Sequence, residues 1–313
     1  MKAIQIQKAG PAESLEYTTK DTPIINDDEI LIKSIAISIN PIDVKTRAGN
    51  TLLPKLLAYG PVILGRDVCG TIVDVGRKVT GLKKGDVVFG VISFPDGGKT
   101  YAEYVAAVAN QVTLKPDTIT PAQAAAASLA ALTALQVLQG NVKSGDRVLV
   151  HAASGGVGHF AVQIAKHWGA YVIGTSSADN RDFVLGLGAD EHIDYKSQKL
   201  EDATQDIDFV FDNIGGETIN HSLNVMKPGA TIISLPTGKN EEVAHKAETK
   251  GIRGFTFQTK SDGKDMKILA DLLQSGAIKP YISHTFTYNE MVAAHKQIET
   301  SRTVGKVVVV FQP

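Results

Sequence analysis

A glycine-rich segment between a strand pattern and a helix pattern is the clearest chemical signal in the sequence. Residues 148–151 (VLVH) are typical of a buried strand, and an amphipathic helix pattern begins near residue 157. Bare backbone and the free N–H groups at a helix start suit a closely approaching pyrophosphate. Ala153 stands where the usual motif has its first glycine, and an ordinary strand–helix turn is the alternative interpretation. The segment predicts a dinucleotide site formed by Ser154, Gly155, Gly156, Val157 and Gly158.

The residues after the next strand pattern favour NADPH over NADH. NAD sites carry Asp or Glu at the end of the second strand, where this chain has Gly174-Thr175-Ser176-Ser177. Small hydroxyl residues leave room for a 2′-phosphate, and Arg181 offers a rigid fork of donors for it. Asp179 is the one contrary residue, and Arg181 as a solvated charge on a helix is the alternative. We therefore predict NADPH as the cofactor, with Ser176, Ser177 and Arg181 close to the 2′-phosphate.

Composition and charge exclude several other classes of protein. The chain has 313 residues, 43% of them hydrophobic and 21% charged, and a formal net charge of −1. No block of like charge indicates a nucleic-acid partner or a membrane surface. The apolar stretch 124–138 is too short for a membrane span and predicts a buried helix. The single Cys69 and a start without an apolar signal core predict a cytoplasmic protein.

The order of strand and helix patterns predicts an α/β protein. Residues 1–117 show short strand patterns broken by turns, with little helical periodicity, so we expect a compact β domain. From Thr120, which caps a long helix pattern over the Ala/Leu stretch, strands and helices alternate, as in a doubly wound parallel sheet. The last residues return to a β pattern at 304–311. The predicted domains are therefore 1–117, 118–257 and 258–313, the last rejoining the first.

Motifs over nearly the whole chain resemble the medium-chain dehydrogenase/reductase superfamily. The matching segments, in order, are NPIDVK at 40–45, GRDVCG at 65–70, GDVV at 85–88, YAEY at 101–104, the glycine-rich loop, DNIGG at 212–216 and GKVV at 305–308. The chain most resembles the zinc-independent quinone oxidoreductases and the related enone (alkenal) reductases. The resemblance implies a Rossmann domain inserted into a GroES-like, mostly β catalytic domain.

The same resemblance implies further cofactor residues and the absence of zinc. Tyr195 matches a family tyrosine that contacts the adenosine 2′-phosphate, and Arg302 matches a family arginine at the cofactor. Asn213, Ile214 and Gly215 match the loop that passes the nicotinamide. Tyr195 as a partly buried surface aromatic is the alternative. Zinc-containing members carry Cys where this chain has Asn40 and His-Glu at Arg66-Asp67, so we expect no catalytic metal.

Without a metal, reduction of a conjugated acceptor is the easiest chemistry. Hydride from NADPH adds to a quinone or to an α,β-unsaturated carbonyl, and donors must stabilise the charge on its oxygen. Asn40 and Lys45 are the candidate catalytic donors; each has a structural alternative, a turn for Asn40 and an exposed helix start for Lys45. Residues 50–60 and 236–246 are expected to line the acceptor pocket.

Two other functions stay open from the sequence. One is an enoyl-thioester reductase, which would need a basic entrance for its carrier. The other is a non-catalytic NADPH-binding scaffold or redox sensor. A homodimer is an expectation by analogy with related proteins.

Overall fold

A computed structural model describes residues 1–49, 52–235 and 238–311, which form two compact units. Within these residues the strands are β1 (Lys2–Ile6), β2 (Glu16–Thr19), β3 (Glu29–Ile39), β4 (Val62–Ile63), β5 (Asp67–Val75), β6 (Val87–Val91), β7 (Tyr104–Val108), β8 (Val112–Leu114), β9 (Arg147–Val150), β10 (Tyr171–Ser176), β11 (Glu191–Asp194), β12 (Ile207–Asp212), β13 (Met226–Ser234), β14 (Arg253–Thr256), β15 (Ile282–Thr287) and β16 (Lys306–Val310). The α-helices are α1 (Pro41–Arg47), α2 (Leu53–Leu57), α3 (Pro121–Ala126), α4 (Leu129–Leu138), α5 (Gly158–His167), α6 (Arg181–Gly186), α7 (Leu200–Ala203), α8 (Glu217–Val225), α9 (Val243–Glu248), α10 (Gly263–Gln274) and α11 (Met291–Glu299).

The first unit, residues 1–132 and 260–313, is built around β3. Its larger sheet has the order β15-β16-β3-β5-β6-β8, with β7 also paired to β3, and a smaller sheet has the order β2-β1-β4. Along β3, Ile30 and Ile32 alternate with more exposed neighbours and enter the core, as period-two patterning requires. Strand β16 pairs with β3, and Val307 lies opposite Ile39. Residues from the C-terminal part of the chain thereby join a sheet formed by the N-terminal part.

The second unit, residues 133–259, contains a parallel sheet in the order β11-β10-β9-β12-β13-β14. All of its strand pairs are parallel, and its central strands carry buried apolar runs at 148–150 and 209–211. The order corresponds to 3-2-1-4-5-6 of the doubly wound dinucleotide-binding fold, whose ligand crevice lies where the strand order reverses. In this chain that point falls between β9 and β12.

The predicted fold class is confirmed: a Rossmann-like unit and a separate, mostly antiparallel sheet unit are both present. The boundaries predicted at residues 117 and 257 stay a prediction. In the part of the chain that the structure describes, no helix has both the length and the apolar character needed to cross a membrane.

Residues 1–117 also contain two short helices, α1 and α2, which are too short to show helical periodicity. One helix prediction was wrong. The single long helix expected after Thr120 is two helices, because α3 ends at Ala126 and α4 begins at Leu129. The backbone N–H of Leu129 donates to the buried Asp67 carboxylate (Oδ1, 2.9 Å). A carboxylate from β5 therefore caps a second helix start that local propensity does not reveal.

Candidate cofactor site and active site

The glycine-rich loop joins β9 to α5, and it requires glycine most strictly at position 158. A Cβ at Gly158 would lie 2.1 Å from the Ala152 carbonyl oxygen and 2.8 Å from the Ala153 Cα. A Cβ at Gly155 would meet the Ala152 oxygen at 3.2 Å. The start of α5 therefore packs directly on the backbone that leaves β9. The first turn of a helix has N–H groups without intrahelical partners, which suits an anion at this position.

Polar side chains meet beside this loop, at the carboxyl ends of β9 and β10. The amide Nδ2 of Asn180 donates to Ser154 Oγ (3.3 Å) and to Ser177 Oγ (3.2 Å). Ser176 Oγ contacts His192 Nε2 at 2.7 Å. The structure thus brings the predicted residues Ser154, Ser176 and Ser177 together. The sequence alone did not single out Asn180 or His192, because the parallel pairing of β10 and β11 that brings His192 beside Ser176 exists only in the folded chain.

Two further predicted residues border this cluster. Tyr195 is 62% exposed, and its N–H donates to the Ser176 carbonyl (3.3 Å). Arg181 begins α6, and its side chain is 61% exposed, with Nη1 3.5 Å from the Asp182 carboxylate oxygen Oδ1. The contrary residue Asp179 is exposed. The nearby Asp194 carboxylate accepts from the N–H of Lys196 and the hydroxyl of Ser197, so it is engaged in its own turn.

The loop after β12 is held by the buried Asp212. Its carboxylate accepts hydrogen bonds from the N–H groups of Ile214 (3.0 Å) and Gly215 (3.0 Å to Oδ2). Asn213 Nδ2 donates to the His151 carbonyl at 2.8 Å, which ties the loop to the end of β9. Among the described residues, Asn213 Oδ1 is buried without a hydrogen-bond partner. A buried acceptor without a donor is costly, so this oxygen fits an amide N–H of a bound ligand.

The second unit therefore fits a dinucleotide. The start of α5 follows β9, the serine cluster lies at the ends of β9 and β10, and the Asn213 acceptor follows β12. All three therefore lie near the point where the strand order reverses, which is where this fold binds its ligand. The ends differ in character: hydroxyl, amide and guanidinium groups lie beyond β10, and a carbonyl acceptor lies beyond β12.

Asn40, a predicted catalytic residue, lies in the first unit and is engaged on both sides. Its side chain is buried, Nδ2 donates to Asp67 (2.8 Å), and Oδ1 accepts from the Lys306 ammonium (2.5 Å). Its backbone N–H donates to the carboxylate of Asp43 (Oδ2, 2.9 Å) in the first turn of α1, which begins at Pro41. These contacts support the structural interpretation of Asn40, and a role as donor to the substrate stays a prediction.

Lys45 and Arg302 also lie in the first unit. Lys45 is on α1 and partly exposed, while Arg302 is exposed after α11. Both assignments stay predictions that rest on the resemblance. Of the expected pocket loops, positions 50, 51, 236 and 237 lie outside the described residues; 53–57 form α2, and α9 begins at Val243.

A buried network of charges surrounds Asn40, Arg66 and Asp67, the positions where the resemblance implies zinc ligands in zinc-containing relatives. Arg66 Nη1 donates to Asp43 Oδ1 at 2.7 Å, and both side chains are almost fully buried. The Lys306 ammonium lies 3.9 Å from Asp67 Oδ2. Burial lowers the pKa of Lys306, and the carboxylates of Asp67 and Asp43 oppose that shift. Across residues 1–49, 52–235 and 238–311, no group of three His, Cys, Asp or Glu side chains is placed to hold a metal ion.

Comparison with known proteins agrees with this architecture. The family described as alcohol dehydrogenase GroES-like domain matches residues 26–117, and the one described as zinc-binding dehydrogenase matches residues 187–309. The chain is 37% identical to the 2-methylene-furan-3-one reductase of Solanum lycopersicum, over 99% of this chain and 79% of that protein. It resembles the structure of the quinone oxidoreductase from Coxiella burnetii with a TM-score of 0.94 and 37% identity, covering 100% of this chain and 99% of that one.

A second solved structure is the Escherichia coli quinone oxidoreductase complexed with NADPH. It has a TM-score of 0.88 and 26% identity, and the match covers 99% of this chain and 100% of that one. The fold and the cofactor crevice define an oxidoreductase of the two-unit, dinucleotide-binding class. The chain belongs to the medium-chain dehydrogenase/reductase superfamily, in the branch that contains the quinone oxidoreductases and the alkenal/one oxidoreductases.

Proposed function

We propose that this protein is a zinc-independent, NADPH-dependent reductase of quinones or α,β-unsaturated carbonyl compounds. The observation that carries the proposal is the cluster of Ser154, Ser177 and Asn180 beside Arg181, at a strand end where an NADH site would carry an acid. The reduction of a conjugated acceptor agrees with the similarity to a 2-methylene-furan-3-one reductase and to quinone oxidoreductases.

Each part of the cofactor would be held by residues of the second unit. Ser154, Gly155, Gly156, Val157 and Gly158 bind the pyrophosphate at the start of α5. Ser176, Ser177, Arg181 and Tyr195 surround the 2′-phosphate. Asn213, Ile214 and Gly215 orient the nicotinamide, with Asn213 Oδ1 accepting from its carboxamide. Arg302 is kept as a further cofactor-binding residue on the strength of the family resemblance.

NADPH, when bound, supplies the hydride. The task of the protein is to orient the acceptor, exclude water and stabilise the negative charge that develops on the acceptor oxygen. Lys45 and Asn40 are the proposed donors to that oxygen, and water delivers the proton that completes the two-electron reduction.

Zinc independence is supported by the donors that replace the metal ligands. Zn²⁺ is held by thiolate, imidazole and carboxylate groups. Here Asn40 is bonded to Lys306, and Arg66 is paired with Asp43. The two buried carboxylates, Asp43 and Asp67, already lie against Arg66 and Lys306, so a divalent cation would have to displace a buried guanidinium or ammonium to reach them.

We place the protein in the cytoplasm because its lone thiol, Cys69, is buried and has no partner for an intramolecular disulfide. Burial raises the pKa of this thiol to about 12, so it is unreactive. A homodimer follows by analogy alone, and light scattering of the purified protein tests it.

The test is a steady-state assay of cofactor oxidation with three acceptors in parallel: a small quinone, a short-chain enone and a saturated aldehyde. Each is run with NADPH and with NADH. We expect turnover of the conjugated acceptors with NADPH, and the ratio of the two kcat/KM values separates quinone from enone chemistry. Turnover of only the saturated aldehyde would overturn the reaction class. Tight NADPH binding without turnover of any acceptor would favour a binding protein.

A further inference from the structure

We propose that His192 belongs to the 2′-phosphate subsite and that its protonation makes the preference for NADPH over NADH increase as the pH falls. The inference rests on the proposed function, because the 2′-phosphate is what distinguishes the two cofactors. It adds to that function a residue and a pH response that neither the sequence motifs nor the family resemblance assigns.

The position of His192 in the sheet places it beside the cluster. β11 lies parallel to β10, with His192 opposite Gly174 and Asp194 opposite Ser176. Neighbouring residues of paired strands extend to the same face of the sheet. A Cβ at Gly174 would lie 2.6 Å from Val184 of α6, so this is the face that α6 covers. Arg181 begins the same helix.

A hydrogen bond fixes the imidazole against the predicted subsite. His192 Nε2 lies 2.7 Å from Ser176 Oγ, and this hydroxyl donates to the Ser177 carbonyl at 3.1 Å. A hydroxyl has a single hydrogen, so both contacts are satisfied together when Nε2 carries a proton and donates to Ser176. Nδ1 then takes up the second proton. The ring can therefore become a cation without losing its contact with the cluster.

The charges around His192 favour the neutral form in the free protein. Burial lowers the pKa of His192 first, and the positive charge of Arg181 lowers it further, while Asp194 on its own strand opposes them. Among the described residues these two are the charged groups that act on the imidazole; Ser176 of the neighbouring strand β10 is uncharged.

A bound 2′-phosphate would reverse this balance. A phosphate monoester carries about −1.5 to −2 charges near neutral pH. Next to His192 and Arg181 it favours the imidazolium, so binding raises the pKa of His192 and takes up a proton. By linkage, acid then strengthens the binding of the phosphorylated cofactor. The 2′-hydroxyl of an NADH-type cofactor has no such charge, so its binding lacks this response.

The experiment measures dissociation constants of NADP⁺ and NAD⁺, which tolerate acid, by calorimetry between pH 8 and pH 6. The quantity compared is the ratio of the NAD⁺ constant to the NADP⁺ constant in the wild type, in His192→Gln and in the control His167→Asn. His167 is an exposed histidine at the end of α5. Glutamine keeps a neutral donor for Ser176 but does not titrate in this range.

At pH 6 we expect the ratio of the NAD⁺ to the NADP⁺ dissociation constant to be at least about fivefold higher in the wild type and in His167→Asn than in His192→Gln. At pH 8 the ratio should be nearly equal in all three proteins. The phosphate itself loses charge near pH 6, but it does so equally in all three proteins. NMR of the His192 ring should show a higher pKa with NADP⁺ than without ligand, and little change with NAD⁺.

Two outcomes separate the possible failures. If all three proteins prefer NADP⁺ with the same pH dependence, His192 has no part in the subsite, and the proposed NADPH function survives. If none of them prefers NADP⁺ at any pH, the NADPH assignment fails, and the inference about His192 fails with it.

Discussion

Asn180 shows how single polar side chains assemble the candidate cofactor site. Its amide bonds the hydroxyls of Ser154 and Ser177, which come from the ends of two neighbouring strands. Asp212 does the same for the loop at Asn213, with its carboxylate holding two backbone N–H groups. In both places a short side chain fixes the loops before a ligand arrives, so less conformational entropy is lost on binding.

Arg181→Ala should weaken the binding of NADPH about tenfold or more and leave NADH binding nearly unchanged. The guanidinium gives charge-assisted hydrogen bonds to a phosphate, and about 1.4 kcal/mol corresponds to a factor of ten. Fluorescence titration with both cofactors measures the effect, and Lys199→Ala removes an exposed positive charge elsewhere in the unit as the control. Equal weakening of both cofactors would contradict the phosphate assignment.

The buried His295 should make the protein less stable in acid. Its Nε2 lies 3.0 Å from the Tyr101 hydroxyl, and burial lowers the pKa of the ring to about 3. The unfolded chain takes up a proton on this residue as the pH falls through about 6.5, whereas the folded chain stays neutral. The stability is therefore fully present above that pH and is lost as the pH falls from about 6.5 towards 3.

Urea unfolding at pH 7 and pH 5 measures this loss. His295→Gln keeps a side chain able to bond Tyr101 but removes the titration, so its free energy of unfolding should change less between the two pH values. The difference is up to about 1.4 kcal/mol per pH unit below 6.5. Burial also lowers the pKa of His151 to about 4, but this residue is present in both proteins. Its contribution therefore cancels when their free energies of unfolding are compared. The same pH slope in both proteins would show that His295 is not the source.

At the scale of elements, contacts between distant segments set where helices start. Asp67, at the first position of β5, accepts from Leu129 at the start of α4 and from the side chains of Ser38 and Asn40. One carboxylate thereby joins a helix start, a strand and a turn. The start of α5 depends on a different contact, the close approach of Gly158 to the backbone after β9.

Gly158→Ala should strongly reduce cofactor binding, because a methyl group would overlap the Ala152 carbonyl oxygen and push α5 away from β9. Repacking of this kind costs about 1–3 kcal/mol. The control is Gly186→Ala in α6, where a Cβ would meet nothing within 4 Å. This control should retain cofactor affinity and gain stability, since alanine favours the helix. Calorimetric titration and thermal unfolding of both variants decide; equal affinity in the two would refute the packing argument.

At the scale of the whole molecule, the chain leaves its first unit and returns to it. Residues 306–310 pair with 29–39 in one sheet, while residues 133–259 form the parallel sheet of the second unit. The return also delivers Lys306 to the buried network of Asn40 and Asp67. The segment that closes the sheet therefore also supplies the cation of the network.

Treatment of the whole protein with a chelator, followed by dialysis, should leave turnover of a conjugated acceptor unchanged. The reason is that Asn40 and Arg66 stand where the resemblance implies zinc ligands in zinc-containing relatives. Here Asn40 is bonded to Asp67 and Lys306, and Arg66 is paired with Asp43. Metal analysis of the active protein should find less than one zinc per chain. A clear loss of activity that added zinc restores would contradict this prediction.

The fold was largely predictable because local patterns report on it. The buried strand at 147–150, the glycine-rich loop and the helix from Gly158 follow one another in the sequence, and the alternation beyond residue 120 predicts a parallel sheet. The break between α3 and α4 was not predictable, since its cause is a carboxylate 62 residues away in the sequence. Helix propensity over an alanine-rich stretch shows nothing of such a contact.

The sequence by itself determined the elements, the glycine-rich loop and the absence of an acid at the end of β10, because each depends on residues adjacent in the chain. Only the tertiary structure decided that Asn40 is enclosed between Asp67 and Lys306, and that Asn180 and His192 join the serines. Those contacts join residues from different strands and loops, and the path of the backbone, rather than the order of the residues, brings their side chains within hydrogen-bonding distance.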